Sequence, residues 1–246
     1  MLGLPDTIEA LLFDMDGVLT QTATVHAQAW KQAFDDFLRE RAQATGDRIA
    51  PFDAESDYDE YVDGKPREDG VRSFLASRGI ALPEGAADDP PGARTVHGLG
   101  NDKNGRMLAL IHRDGVKPYP GSLRYLRAAK RAGLRVAVVS SSTNTHEVLT
   151  AAGIDELFAT VVDGHVAERE RLSGKPAPDT YLAAAAELQT DPQRAAVFED
   201  ALAGVAAGRA GAFGYVVGVD RVGQREALLE HGADVVVADL AELLGS

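Results

Sequence analysis

From residue 118 onward, the sequence alternates between short apolar segments and segments with helical periodicity. Strands are predicted at RVAVVS (135–140), near 158–162, and at AAVF (195–198), FGYVVGV (213–219) and ADVVV (233–237). Helices are predicted around these strands, at 121–132, 145–152, 178–189, 201–210 and 224–231. Apolar strands that alternate with helices are typical of a parallel sheet that is covered on both faces.

The first strand lies far from this region, at IEALLF (8–13). Residues between the two regions have mainly helical character, with helices predicted at 24–42, 68–78 and 101–113 and loops at 43–66 and 81–95. We therefore predict an α/β fold. A doubly wound, Rossmann-like parallel sheet core would be formed by 1–21 and 117–246, and a helical cap domain at 22–116 would be inserted into it.

The composition narrows the range of partners. The chain has 38 acidic and 25 basic side chains, which argues against nucleic acid because phosphate backbones require clusters of Lys and Arg. It has no Cys, which excludes disulfides and Cys-ligated metal centres. We see no signal peptide and no apolar stretch of about 20 residues, so we expect a cytoplasmic protein that does not bind membranes. We also expect a monomer, which is the default for this architecture.

Polar residues follow the first strand in the pattern Asp14-Met15-Asp16-Gly17. A spacing of two places both carboxylates on the same side of an extended segment. Asp14 could then attack a phosphorus atom, and Asp16 could exchange a proton with the substrate oxygen. Taken alone, an acidic turn without a catalytic role explains this pattern equally well.

Three later strand ends are also polar. Ser140 opens a run of three Ser, whose hydroxyl and backbone N–H groups could bind a phosphate, although Ser is also a common helix cap. Lys175, in GKPAPD, could neutralise a phosphoryl group or could be a solvated lysine beside a helix start. Glu199 and Asp200 could bind Mg²⁺, which prefers oxygen ligands, or could be surface acids.

Together these four segments form a set that resembles the haloacid dehalogenase (HAD) superfamily. DMDGV, VVSSS, GKPAPD and VFED match its four motifs in order and span nearly the whole chain. The resemblance implies that Asp14 is the nucleophile, Asp16 the general acid/base, and Ser140 and Lys175 the groups that hold the transferring phosphate. It also implies a Mg²⁺ site formed by Asp14, the Asp16 carbonyl and Asp200, with Glu199 close by.

Within the superfamily, the chain most resembles the β-phosphoglucomutase-like subfamily, through DMDGVLTQTATVHAQAW, GKPRED, NDKN and SSSTN. The resemblance implies substrate-binding roles for His26, Trp30, Arg67, Lys103, Asn104, Ser142 and Asn144. Arg67 would bind the second phosphate of the substrate. From the residues alone, His26 could be a partly buried histidine, Trp30 a packing residue and Arg67 a solvated cation. Thr143, where the subfamily has Lys, and Gln21, where it has an acid, depart from the pattern.

The resemblance implies the interconversion of β-glucose 1-phosphate and glucose 6-phosphate through a phospho-aspartate and a glucose 1,6-bisphosphate. The alternative is a Mg²⁺-dependent phosphatase acting on a sugar phosphate or another small phosphoester, since both enzymes share the first step. A third hypothesis is a phosphosugar-binding module without catalysis. The presence of Asp14, Asp16, Lys175 and Asp200 argues against that module, because binding needs no nucleophile.

Overall fold

The computed structural model describes residues 2–46 and 48–245. The chain divides into two compact units, one made of the described residues of Met1–Gln21 and Val116–Ser246, the other of those of Thr22–Gly115. The roles of these units as catalytic core and cap stay predictions. Within the described residues, no helix has both the length and the apolar character that crossing a membrane requires.

The elements follow one another along the chain as the alternating sequence pattern predicts. The strands are β1 (Ala10–Phe13), β2 (Arg135–Val139), β3 (Thr160–Val162), β4 (Ala195–Glu199), β5 (Tyr215–Val219) and β6 (Val235–Val237). The helices are α1 (Ala23–Thr45), α2 (Arg67–Ser77), α3 (Val96–Asp114), α4 (Pro120–Arg131), α5 (Thr145–Ala151), α6 (Gly164–Glu170), α7 (Asp179–Glu187), α8 (Leu202–Ala210) and α9 (Arg225–Glu230).

The strands of the first unit form a six-stranded parallel sheet in the order β3-β2-β1-β4-β5-β6. This confirms the predicted α/β fold. β2 and β3 lie on one side of β1, and β4, β5 and β6 lie on the other, so the strand order reverses beside β1. In such sheets, ligands bind beyond the carboxyl ends of the strands at the point where the order reverses.

Both faces of the central strand are buried, which explains its unbroken apolar sequence. Ala10 and Leu12 belong to a cluster that includes Tyr181 of α7. Phe13 packs against Tyr125 of α4, with ring centroids 6.5 Å apart. Helices therefore cover the sheet on two sides, and polar residues can reach a ligand only from its edges.

The register of the parallel strands brings distant segments to one edge. Phe13 pairs with Val138 of β2 and with Phe198 of β4. The residues that follow Phe13 and Phe198, which are Asp14 and Glu199, are therefore neighbours at the carboxyl edge of the sheet.

The second unit is helical and has its own aromatic core. Phe34 of α1 stacks on Trp30 with ring centroids 4.8 Å apart and lies 4.1 Å from the ring centroid of Phe74 of α2. Phe52, which precedes a short π-helical segment at Tyr58–Val62, packs edge-on against Phe74 at 5.0 Å. These four side chains are buried, so this unit does not rely on the sheet for a hydrophobic core.

Some predicted elements were wrong in extent or were missed. Helix α3 begins at Val96 rather than 101, because the side chain of Thr95 caps it by accepting a hydrogen bond of 2.9 Å from the Gly98 N–H. Helix α6 was not predicted. It has only seven residues and starts at Gly164, and it is capped by Asp163, whose carboxylate accepts from the Val166 N–H at 2.9 Å.

The aromatic core of the second unit gives a testable prediction. Phe74→Ala should lower the free energy of unfolding of this unit by about 3–5 kcal/mol, because the cavity left in a packed aromatic cluster does not collapse fully. Trp30 is the single tryptophan of the chain and lies in this unit, so denaturation followed by tryptophan fluorescence measures its unfolding. Phe37→Ala, at a half-buried position, is the control and should cost less than half as much.

Candidate active site

The backbone hydrogen bonds of the sheet continue past the strand ends and fix the first polar residues. The N–H of Asp14 donates to the carbonyl of Phe198 at 2.9 Å, and the N–H of Ser140 donates to the carbonyl of Val162 at 2.9 Å. Asp14 and Ser140 are both buried. Their side chains therefore leave the sheet from positions that the strands determine.

Lys175 joins the two central acids of the site. Its Nζ lies 2.6 Å from Oδ1 of Asp14 and 2.6 Å from Oε1 of Glu199, and it donates to the carbonyl of Val139 at 3.3 Å. Only 1% of the Lys175 side chain is exposed. One ammonium group thus faces two carboxyl groups, and a bound cation would balance the negative charge that is left over when both are ionised.

The pKa values of this cluster reflect burial and charge together. Burial raises the pKa of the Asp14 carboxyl well above its usual range, while Lys175 opposes the shift and Glu199 adds to it. Burial alone would lower the pKa of Lys175, but the carboxylates of Asp14 and Glu199 outweigh it and raise that pKa. Lys175 is therefore charged, and an additional cation at this place would favour the ionised form of Asp14.

A metal could be held by buried acids at this edge. One carboxylate oxygen from each of Asp14, Glu199 and Asp200 lies within 4.8 Å of the others. Such a set of oxygens fits a hard divalent cation. Glu199 is the least available of the three, because its Oε1 already accepts from Lys175 and from the Tyr181 hydroxyl at 3.0 Å, and its Oε2 accepts from the Ala201 N–H at 3.0 Å.

The turn after β1 is shaped around Gly17. This residue has a φ of +83°, in the left-handed region that favours glycine. Its N–H donates to the Thr20 carbonyl at 2.8 Å, and the Thr20 N–H donates back to the Met15 carbonyl at 2.9 Å. A Cβ on Gly17 would lie 1.6 Å from Oδ2 of Asp200. The missing side chain of Gly17 is therefore what allows the Asp200 carboxylate to approach the turn that carries Asp16.

The serine segment after β2 forms a chain of local hydrogen bonds that leads into α5. The N–H of Ser142 donates to Oγ of Ser140 at 3.1 Å, and the N–H of Asn144 donates to Oγ of Ser142 at 3.1 Å. Ser142 and Asn144 are half-buried, whereas Ser140 is 2% exposed. This segment presents hydroxyl and amide groups at the same sheet edge as Asp14.

The second unit brings together three of the predicted cap residues. Nζ of Lys103 lies 3.1 Å from Nδ1 of His26 and 5.0 Å from the ring centroid of Trp30. An ammonium group can only donate, so this contact is a hydrogen bond when Nδ1 of His26 carries no proton. Lys103 is 4% exposed and Trp30 is 3% exposed. Trp30 stacks on Phe34, and its substrate-binding role stays a prediction.

Arg67 and Asn104 occupy more open positions. Nε of Arg67 pairs with Oε1 of Glu68 at 3.0 Å, and 24% of the Arg67 side chain is exposed. This hydrogen bond uses Nε of Arg67 and not its two terminal nitrogens. Asn104 is half-buried and follows Lys103 on α3.

Sequence reasoning missed two residues that shape the acidic cluster. Tyr181 is fully buried; its hydroxyl donates to Glu199, and its ring centroid lies 5.0 Å from Nζ of Lys175. Gly204 lies so close to Glu199 that a Cβ there would be 1.7 Å from Oε1. Neither residue follows a strand. The only signal for Tyr181 was a polar aromatic residue in the first turn of a helix that is otherwise rich in Ala.

Comparison with known proteins places this site in a family context. A family model described as haloacid dehalogenase-like hydrolase matches residues 8–211. A protein of Mycobacterium bovis named beta-phosphoglucomutase is 57% identical over a match that covers 99% of this chain and 94% of that protein. A Bacillus subtilis protein of the same name is 31% identical, with coverage of 96% of this chain and 92% of that protein.

A solved structure is also similar. The crystal structure of beta-phosphoglucomutase from Clostridium difficile superposes with a TM-score of 0.74 at 26% identity, and the match covers 97% of this chain and 94% of that one. The fold therefore has a counterpart in a solved structure.

The contact between Gly17 and Asp200 gives a prediction with a matched control. Gly17→Ala should weaken binding of Mg²⁺, measured by calorimetry with MgCl₂, by at least about tenfold, because the new methyl group displaces the Asp200 carboxylate. Gly133→Ala is the control, since Gly133 has a φ of +81° and a Cβ added to it would meet nothing within 4 Å. Both variants should lose about 1 kcal/mol of stability from backbone strain, but Gly133→Ala should bind Mg²⁺ normally. Equal Mg²⁺ affinity in the two variants would contradict the assigned role of this contact.

Proposed function

The chain belongs to the haloacid dehalogenase-like hydrolases, and we propose from that premise that it is a β-phosphoglucomutase, which interconverts β-glucose 1-phosphate and glucose 6-phosphate. The observation that carries the proposal is the buried Asp14 carboxylate held at 2.6 Å by Lys175 at the switch point of the sheet. A buried nucleophile beside a fixed cation is what phosphoryl transfer through an aspartate requires. The 57% sequence identity to a protein named beta-phosphoglucomutase supports these two glucose phosphates as the substrates.

Asp14 is the proposed nucleophile and Asp16 the proposed general acid and base. In the first step, a carboxylate oxygen of Asp14 forms a bond to phosphorus while the bond from phosphorus to the sugar oxygen breaks. Asp16 gives a proton to that departing oxygen. When glucose 1,6-bisphosphate gives up its 1-phosphate in this way, glucose 6-phosphate is released. In the second step, Asp16 takes a proton from the 6-hydroxyl of β-glucose 1-phosphate, whose oxygen attacks phosphorus and releases Asp14, so that glucose 1,6-bisphosphate forms again.

Lys175 and Ser140 are proposed to hold the oxygens of the transferring phosphoryl group. The ammonium group of Lys175 lies 2.6 Å from Asp14, and Ser140 follows the neighbouring strand β2. Mg²⁺ would be held by Asp14, Asp200 and the Asp16 carbonyl, with Glu199 close by, and it would supply positive charge to balance the phosphate. Lys175, charged and buried, provides the remaining neutralisation.

A mutase also needs a site for the second phosphate of glucose 1,6-bisphosphate. We propose that Arg67 binds that phosphate through its terminal nitrogens. The family resemblance implies that the remaining groups of the substrate are bound by His26, Trp30, Lys103, Asn104, Ser142 and Asn144, and we propose these roles. A second phosphate site lets the bisphosphate bind in either orientation, which a phosphatase does not need. Action in the cytoplasm as a monomer stays a prediction.

Phosphorus NMR tests the proposed reaction directly. Purified protein with MgCl₂, β-glucose 1-phosphate and a trace of β-glucose 1,6-bisphosphate should accumulate glucose 6-phosphate with little inorganic phosphate. Asp14→Asn should give neither product, because the amide is a far weaker nucleophile than the carboxylate. Asp155→Asn, at an exposed position of the same unit, should behave as the unmodified protein.

Two other results would revise the proposal. Accumulation of inorganic phosphate, dependent on Asp14, would identify a phosphatase that uses the same aspartate. Substantial turnover by Asp14→Asn would exclude a phospho-aspartate.

Arg67→Ala should lower kcat/KM for the mutase reaction by about two orders of magnitude or more. A guanidinium can make two charge-assisted hydrogen bonds to a phosphate, each contributing about 1.5–3 kcal/mol. Steady-state kinetics with β-glucose 1-phosphate measure the effect. Arg72→Ala is the control, since Arg72 lies on the same helix and pairs with Asp69 and Glu84. Unchanged kinetics for Arg67→Ala would show that another residue binds the second phosphate.

A further inference from the structure

The loop between β5 and α9, residues 220–224, lies at the same sheet edge as Asp14 and Asp200. The loop is ordered by Asp220, whose Oδ1 accepts from the N–H groups of Gly223 at 2.7 Å and Gln224 at 2.9 Å. None of the four family motifs covers this loop. Two of its side chains nevertheless reach the backbone beside the acidic cluster.

Arg221 donates from Nε to the Gly17 carbonyl at 2.6 Å and from Nη1 to the Ala238 carbonyl at 2.8 Å. Its guanidinium carbon lies 3.5 Å from the ring centroid of Tyr119. These contacts fix the plane of the guanidinium. Nη2 of Arg221 is buried and has no hydrogen-bond partner among the described residues. An unpaired buried donor lowers stability, so stability alone does not explain why an arginine stands at this position.

Gly17 is held on both sides by these contacts. Its N–H donates to Thr20, and its carbonyl accepts from Arg221. Because a trans peptide unit points its N–H and C=O in opposite directions, the bond to Thr20 also directs the Asp16 carbonyl away from Thr20. Arg221 fixes the next peptide unit. The orientation of the Asp16 carbonyl therefore depends on a turn that Arg221 anchors.

Gln224 contacts Asp200, the other partner in the close contact with Gly17. Its Nε2 donates to the backbone carbonyl of Asp200 at 3.0 Å. The Asp200 carboxylate in turn lies against the Cα of Gly17, since a Cβ added to Gly17 would be only 1.6 Å from Oδ2 of Asp200. One loop thus holds both the Gly17 turn and Asp200.

We propose that Arg221 and Gln224 are positioning residues that set the separation between the Asp16–Gly17 turn and the Asp200 carboxylate, and through it the affinity for Mg²⁺. The proposal rests on the proposed function for the identity of the ion and the reaction. Neither Arg221 nor Gln224 is proposed to touch the phosphoryl group or the sugar. Their effect on turnover passes through the groups that they hold in place.

The test compares Arg221→Met, Arg221→Lys and Gln224→Leu in the full chain. Calorimetry with MgCl₂ should show that Arg221→Met raises the dissociation constant by about 10-fold to 100-fold, and that Gln224→Leu raises it by a smaller factor. Arg221→Lys keeps the charge and one donor and should recover part of the affinity. At saturating β-glucose 1-phosphate and limiting MgCl₂, kcat should fall in the same order, while KM for the sugar phosphate changes by less than about twofold.

Arg209→Met is the matched control. Arg209 anchors a loop in the same way, donating to the Gly232 carbonyl and to Oδ1 of Asp234, but these contacts precede β6 at the opposite edge of the sheet. Arg209→Met should lower the melting temperature yet keep normal Mg²⁺ affinity. The proposal is overturned if Arg221→Met also loses only melting temperature. If inorganic phosphate is the product of the unmodified protein, the mutase assignment fails, but the Mg²⁺ affinities still decide this inference.

Discussion

The ammonium group of Lys175, shared between the carboxylates of Asp14 and Glu199, is the interaction on which the site depends. Three charged groups are buried together, and each would be costly to bury alone. Removing one partner from such a cluster costs about 3–5 kcal/mol, because a charge remains buried without compensation. Tyr181 and the N–H of Ala201 complete the cluster by saturating Glu199. Glu199 therefore positions Lys175, and Lys175 in turn holds the Asp14 carboxyl group.

The parallel sheet makes this cluster possible. Asp14 and Lys175 are 161 residues apart in sequence, yet the N–H of Asp14 donates to the Phe198 carbonyl and Nζ of Lys175 donates to the Val139 carbonyl. Each anchor belongs to a strand next to β1. In doubly wound sheets, ligands bind where the strand order reverses, which in this sheet is beside β1. The fold thus supplies both the proximity of the charges and their burial.

The sequence predicted the polar residues that follow strands. Its placement of Lys175 at a strand end was wrong, since Lys175 lies between α6 and α7, and it was the motif GKPAPD that pointed to this residue. Asp14, Ser140 and Asp200 could be found because the end of an apolar strand is visible in the sequence and its position in the sheet is predictable. Tyr181 and Arg221 act through contacts between a helix or a loop and the backbone of another segment. Such contacts depend on loop conformation, which residue types alone do not determine. The same reason explains why α6, short and begun by a glycine, was missed.

The cap residues differ in what they can offer a ligand. Lys103 is the more deeply buried cation, and its ammonium already contacts His26, the Met107 sulfur at 3.6 Å and the face of Trp30. These contacts occupy the ammonium group of Lys103 with neighbours in its own unit. Arg67 is more exposed and commits only Nε to a neighbouring acid. Since a planar guanidinium binds a phosphate through paired donors, Arg67 is better suited than Lys103 to distinguish a bisphosphate from a monophosphate.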